Sequence, residues 1–131
     1  MTLAFDTIAN RGDQTRVMPG YGNATFVGPP VITAYTANGV ISVDPGLKAL
    51  AKTSALASTT LAAPAADGDR ITLFCATAYA HVITATSLIE DGVTGGAKTT
   101  LTFGAFVGAS CTLIGYAGKW IVESKNVCTI T

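Results

Sequence analysis

Residues 110–131 read SCTLIGYAGKWIVESKNVCTIT. Three β-rich runs, Ser110–Tyr116, Lys119–Ser124 and Val127–Thr131, follow one another with almost nothing between them, and Ala117-Gly118 supplies a turn between the first two. Runs dense in Val, Ile, Thr, Tyr and Trp and punctuated by Gly read as successive strands. The same grammar extends backwards. Thr99–Phe103 (TTLTF) follows a loop marked by Glu90-Asp91-Gly92 and Gly95-Gly96, and a further β-branched run covers His81–Thr86. Ile71–Ala76 follows the Asp67-Gly68 turn behind Pro64. Its two faces, Ile71, Leu73, Cys75 and Thr72, Phe74, Ala76, both carry apolar residues, the pattern of a strand covered on each side. Short strands with Gly-rich turns predict an all-β fold, a small β-sandwich or barrel.

Upstream the pattern loosens. Val31–Thr36 and Gly39–Val43 flank Asn38-Gly39, and Asn-Gly between two β-rich runs predicts a hairpin. Leu47, Leu50, Ala51 and Ala55 fall at helical spacing, which predicts a short helix or an irregular crossing over 47–56. From Met1 to Pro30, Gly12, Pro19, Gly20, Gly22, Gly28, Pro29 and Pro30 rule out a long helix. The large apolar residues among them, Phe5, Met18, Tyr21 and Phe26, would be wasted on a free tail. The expected organisation is therefore an extended N-terminal arm, 1–30, that docks on a partner through those four residues, and a β-domain, 31–131.

Composition narrows the function classes. Of 131 residues 49% are hydrophobic and only 12% charged, about half the charge of an ordinary soluble domain. Either the chain sits in a membrane or other protein covers much of its surface. The uncharged stretches Ile71–Ile89 and Thr99–Gly118 are long enough to span a bilayer, but both are interrupted by Thr, Ser or Gly and alternate like strands. Gly104 and Gly108 form G-x-x-x-G, which packs membrane helices only inside an apolar helix. No membrane partner is expected, and Asp6 interrupts any leader-like apolar run. Eight basic and eight acidic residues, with no run of either sign, disfavour nucleic acid. Cys75, Cys111 and Cys128 are odd in number and widely spaced, unlike a disulfide framework or a zinc site. They read as reduced, buried hydrophobes.

A set of short motifs carries a resemblance. Thr60-Leu61-Ala62-Ala63-Pro64 precedes the Asp67-Gly68 turn, followed by Ile71-Thr72-Leu73 and Ala80-His81-Val82-Ile83-Thr84. Next come Leu101-Thr102-Phe103, then Gly108-Ala109-Ser110 leading into Leu113-Ile114-Gly115-Tyr116, and Gly118-Lys119-Trp120-Ile121-Val122. In this order the chain from about Ala55 to Val122 resembles a β-module that recurs in tailed-phage virion proteins, among them capsid decoration (cement) proteins and fibre-associated proteins. The resemblance implies a β-rich, usually trimeric piece on the outside of a head or tail, without enzymatic activity. The chain departs from that pattern by its arm, and it lacks the repetitive or coiled-coil region of a complete fibre.

Individual motifs weigh mostly on the structural side. His81, the only histidine, has no nucleophile elbow near Ser110 or Cys111 and reads as a hydrogen-bonded structural residue. Arg11-Gly12-Asp13 and the sequon Asn23-Ala24-Thr25 are short matches that a Gly-rich arm produces by chance. Gly118-Lys119 is no phosphate loop, because Leu113 replaces its first glycine and Trp120 its Ser or Thr. Asp67, Asp69, Glu90 and Asp91 match no EF-hand and read as turn formers. Trp120 is expected to anchor a hairpin to the core, with a sugar-stacking platform as the alternative.

The expectation is thus a phage capsid decoration protein. It would be a homotrimer that binds the major capsid protein on the head and resides in the virion after assembly in the host cytoplasm. It would have no catalytic residues, no cofactor and no metal. The alternative is a tail-fibre or spike-associated module that binds a host-surface glycan.

Overall fold

A computed structural model describes residues 15–18, 22–25 and 31–131. The chain divides into two compact units, 1–30 and 31–131. In the first, β1 (Thr15–Met18) and β2 (Gly22–Thr25) pair antiparallel, with Met18 opposite Gly22. Of the expected docking residues, Phe5, Tyr21 and Phe26 lie outside the described residues, and Met18 is placed only as the last residue of β1.

The second unit is all β. Its strands are β3 (Ile32–Tyr35), β4 (Val40–Ile41), β5 (Gly46–Leu50), β6 (Thr59–Leu61) and β7 (Arg70–Cys75), then β8 (Val82–Glu90), β9 (Lys98–Phe103), β10 (Ser110–Tyr116), β11 (Lys119–Asn126) and β12 (Cys128–Ile130). They form one ten-stranded mixed sheet in the order β12-β9-β8-β11-β10-β7-β5-β3, with β6 and β4 branching from β8. The sheet curls into a nearly closed barrel.

Strand β8 is the junction. Ile83 and Thr84 pair with Thr59 and Thr60 of β6, whereas Ile89 and Glu90 pair with Trp120 and Ile121 of β11. On its other side β8 pairs with β9, and the register slips between Lys98 and Thr100. Ser87 takes up the slip with a left-handed φ of 55°. A bulge of this kind bends the strand so that its two halves enter different parts of the sheet.

The strands called from 110–131 form as read, and their turn is of a specific kind. Ala117 and Gly118 both have positive φ, 51° and 75°, between the paired residues Tyr116 and Lys119. Two positive values are what a two-residue hairpin turn requires to match strand twist. The Asp67 carboxylate accepts from the Ala117 amide at 2.8 Å, tying the Asp67-Gly68 turn to this one.

Two upstream expectations are corrected. The Asn38-Gly39 hairpin does not form: β3 pairs parallel with β5, and β4 pairs parallel with β6. Neither Asn38 nor Gly39 has the positive φ that the turn needs. Asn38 Oδ1 instead accepts from the amides of Ala57 and Ser58 at 3.1 and 3.3 Å, so distant backbone claimed the side chain. Residues 47–50 are not helical either. They lie in β5 between two parallel neighbours, β3 and β7, and the chain crosses irregularly only after Leu50. Ladder bonds on both edges of β5 outweigh a helical spacing that rests on four residues.

The core is continuous. Ile41, Leu50, Leu56, Leu61, Ile71, Leu73, Ile83, Ile89, Leu101, Phe103, Leu113 and Trp120 are all buried in one cluster, with Cys75, Cys111 and Cys128 among them.

Candidate functional site

Register sorts the side chains of β3, β5, β7, β10 and β11 into two faces. Ile71, Leu73 and Cys75 alternate inward, with Cys111 and Leu113 opposite them. The outward residues line up in rows across the sheet. Ile32, Leu47, Thr72 and Thr112 form one row, and Ala34, Ala49, Phe74 and Ser110 form another. Ile114 and Ile121 share a third with Arg70. Thr72 and Thr112 hydrogen-bond each other at 3.0 Å. Apart from the Arg70–Glu123 ion pair, these rows carry no charge. The second face of the sheet is therefore apolar or neutral, as the run Ile71–Ala76 suggested.

This face ends on an open strand. Among the described residues β3 has a single neighbour, β5, and its own residues are exposed up to Tyr35. Val31 and Ile32 stand 73% and 58% exposed there. An edge that no described strand pairs and that carries no charged side chain is a ready place for another strand to add. The other edge strand, β12, is guarded: Lys125 Nζ donates to the Cys128 carbonyl at 3.2 Å.

A second apolar surface lies on the loop between β9 and β10. Phe106 and Val107 are 65% and 68% exposed, and Val127 lies beside them. A Cβ built on Gly104 would overlap Val127 Cγ1 and stand 3.4 Å from Phe106 Cδ2. Glycine is needed here for close approach. Residues 104–110 and 76–81, the two loops linked by the Gly108 amide to the Cys75 carbonyl, contain no Asp, Glu, Lys or Arg.

The single residues weighed for chemistry are committed to the fold. His81 is fully buried. Its Nδ1 accepts from the Leu56 amide at 3.1 Å, so the proton sits on Nε2, which faces Thr77 Oγ1 at 3.0 Å. Thr77 in turn donates to the Lys52 carbonyl at 2.7 Å. Burial holds the imidazole below its ordinary pKa, with the Lys52 charge adding to the effect and the Thr77 hydrogen bond opposing it. Both ring nitrogens are thus spent on holding the irregular 51–58 crossing to β8. Trp120 is buried and donates Nε1–H to the Ala62 carbonyl at 2.8 Å, which leaves no ring face for a sugar.

The carboxylates build turns. Asp69 accepts from the Ala66 amide, and Asp91 accepts from the Val93 amide while facing Lys98 at 3.6 Å. Among the described residues no three His, Cys, Asp or Glu side chains are grouped to hold a metal.

Sequence reading passed over Thr77 and Lys48. Thr77 lies four residues before His81 and has no distinctive signal among so many threonines. Lys48 sits opposite Leu73 on the inward face and is only 2% exposed. Burial lowers its pKa, and the charge of Asp44 works against that shift. Its position in a supposed helix concealed it. Compared with protein-family models and with curated proteins, the chain matches none.

Proposed function

We propose that the chain is a phage capsid decoration (cement) protein that binds the outer surface of the head as a homotrimer and stabilises the shell. One observation carries the reading. Val31, Ile32, Val40, Phe106 and Val107 each expose more than half of their surface on a chain with only 12% charged residues. Large apolar side chains exposed on a surface this poor in charge fit a protein that copies of itself and a lattice cover. The motif order from Ala55 to Val122 points to the same class of virion module. Burial of Trp120 weighs against the glycan-binding alternative, whose stacking ring it would have been.

The test is addition of purified protein to shells of the cognate phage that lack it, read by co-sedimentation and electron microscopy. Stoichiometric density at symmetry-related points of the shell, weakened by Phe106→Asp or Ile32→Asp, is expected. Binding to host cells or their glycans but not to shells would replace this reading with the fibre module. Binding to neither would refute both.

A further inference from the structure

We propose that Asn38 is a self-modification site, where the folded chain converts the side-chain amide to a carboxylate through a succinimide closed by the Gly39 nitrogen. The Ala57 and Ser58 amides stabilise the oxyanion of that step. The inference is independent of what the protein binds. Of the four asparagines, Asn10, Asn23, Asn38 and Asn126, only Asn38 precedes glycine. Glycine puts no Cβ beside the attacking nitrogen, and both residues of the pair are exposed to the water that the reaction consumes.

The side chain is held unlike an ordinary surface amide. Asn38 Oδ1 accepts from the Ala57 amide at 3.1 Å and the Ser58 amide at 3.3 Å, and Thr59 Oγ1 stands 3.5 Å away. Backbone N–H groups only donate, so the atom facing them is the oxygen, and Nδ2 lies on the other side of Cγ. The Gly39 carbonyl accepts from the Thr60 amide at 2.9 Å, so the same segment, 57–60, holds both the side chain and the far end of the dipeptide. Among the described residues no backbone carbonyl accepts from the Gly39 N–H. Backbone amides converging on one carbonyl oxygen are the arrangement that stabilises the tetrahedral intermediate of acyl transfer.

The steps balance without oxidant or reductant. A base in the water takes the Gly39 N–H proton, and the nitrogen attacks Asn38 Cγ. The two atoms are joined through Cβ, Cα and the carbonyl carbon, so a five-membered ring closes. The new N–Cγ bond puts negative charge on Oδ1, where the Ala57 and Ser58 amides receive it. The Cγ–Nδ2 bond then breaks, and Nδ2 leaves as ammonia with a proton from water. A second water adds to Cγ, which the same amides polarise. The N–Cγ bond breaks, the nitrogen regains a proton, and an aspartate remains with the backbone unchanged. Its carboxylate keeps the donors in charge-assisted bonds and adds a negative charge to a chain whose formal net charge is zero.

The experiment incubates the folded full chain and an unstructured peptide of residues 34–43 in one mildly alkaline buffer. Ammonia release, isoelectric focusing and peptide mapping follow both over time. The folded chain should lose the Asn38 amide at least about tenfold faster than the peptide. It should give aspartate with little isoaspartate, whereas the peptide gives both. Gly39→Ala, whose added Cβ meets nothing within 4 Å, should fold and slow the release in chain and peptide alike. Ala57→Pro, which deletes one donor, should slow the folded chain alone. An equal or lower rate in the folded chain would overturn the proposal, as would the peptide's share of isoaspartate. Unchanged release by Gly39→Ala, or by folded Ala57→Pro, would do the same. Should Ala57→Pro fail to fold, the comparison of chain with peptide decides alone.

Discussion

Replacing His81 tests the internal wiring most directly. His81→Phe keeps a ring in a fully buried site but removes the acceptor for the Leu56 amide and the donor to Thr77. An orphaned buried amide costs about 1–3 kcal/mol, and the Thr77 bond about 1 more. The sum, about 2–4 kcal/mol, is a large part of the 5–15 kcal/mol typical of a domain. The variant should also lose a pH response. Because the folded imidazole has a lowered pKa, the unfolded chain binds a proton first as pH falls below about 6.5. Stability from this group is therefore complete above the unfolded pKa and declines as pH falls toward the folded value, by at most about 1.4 kcal/mol per pH unit. Urea unfolding at fixed protein concentration, at about pH 7.5, 6.5 and 5.5, reads both effects. The wild-type midpoint should fall with acid, and that of His81→Phe should start lower and fall less. Parallel pH curves for the two proteins would show that His81 is not the buried neutral acceptor described here.

Gly115→Ala should destabilise by about 1–3 kcal/mol, because its Cβ would lie 2.5 Å from Pro64 Cβ and 2.9 Å from the Ala66 carbonyl; thermal unfolding checks it. Ala117→Asn should stabilise by about 0.5 kcal/mol, since Asn tolerates the φ of 51° better than Ala, and the same scan reads the rise. Sedimentation equilibrium at micromolar concentration should find a homo-oligomer, with three subunits expected, and a stable species of 13.3 kDa would refute that expectation.

The amino-acid sequence by itself determined the strand content from Ile71 onward and the Asp67-Gly68 and Ala117-Gly118 turns. It also determined the inward alternation of Ile71, Leu73 and Cys75. These features arise from near neighbours, since alternation and turn conformation are set within a few residues. Tertiary structure alone decided the partners. Asn38-Gly39 has the local chemistry of a hairpin, but amides of Ala57 and Ser58, about twenty residues away, took its side chain. Leu47 to Leu50 became a strand because β3 and β7 offered ladder bonds on both edges, which no local spacing records. The roles of His81 and Trp120 were legible as structural, but their acceptors and donors, Leu56, Thr77 and Ala62, were not. Sequence separation says nothing of distance once a sheet curls, and only the nearly closed barrel gathers side chains of distant strands into one core.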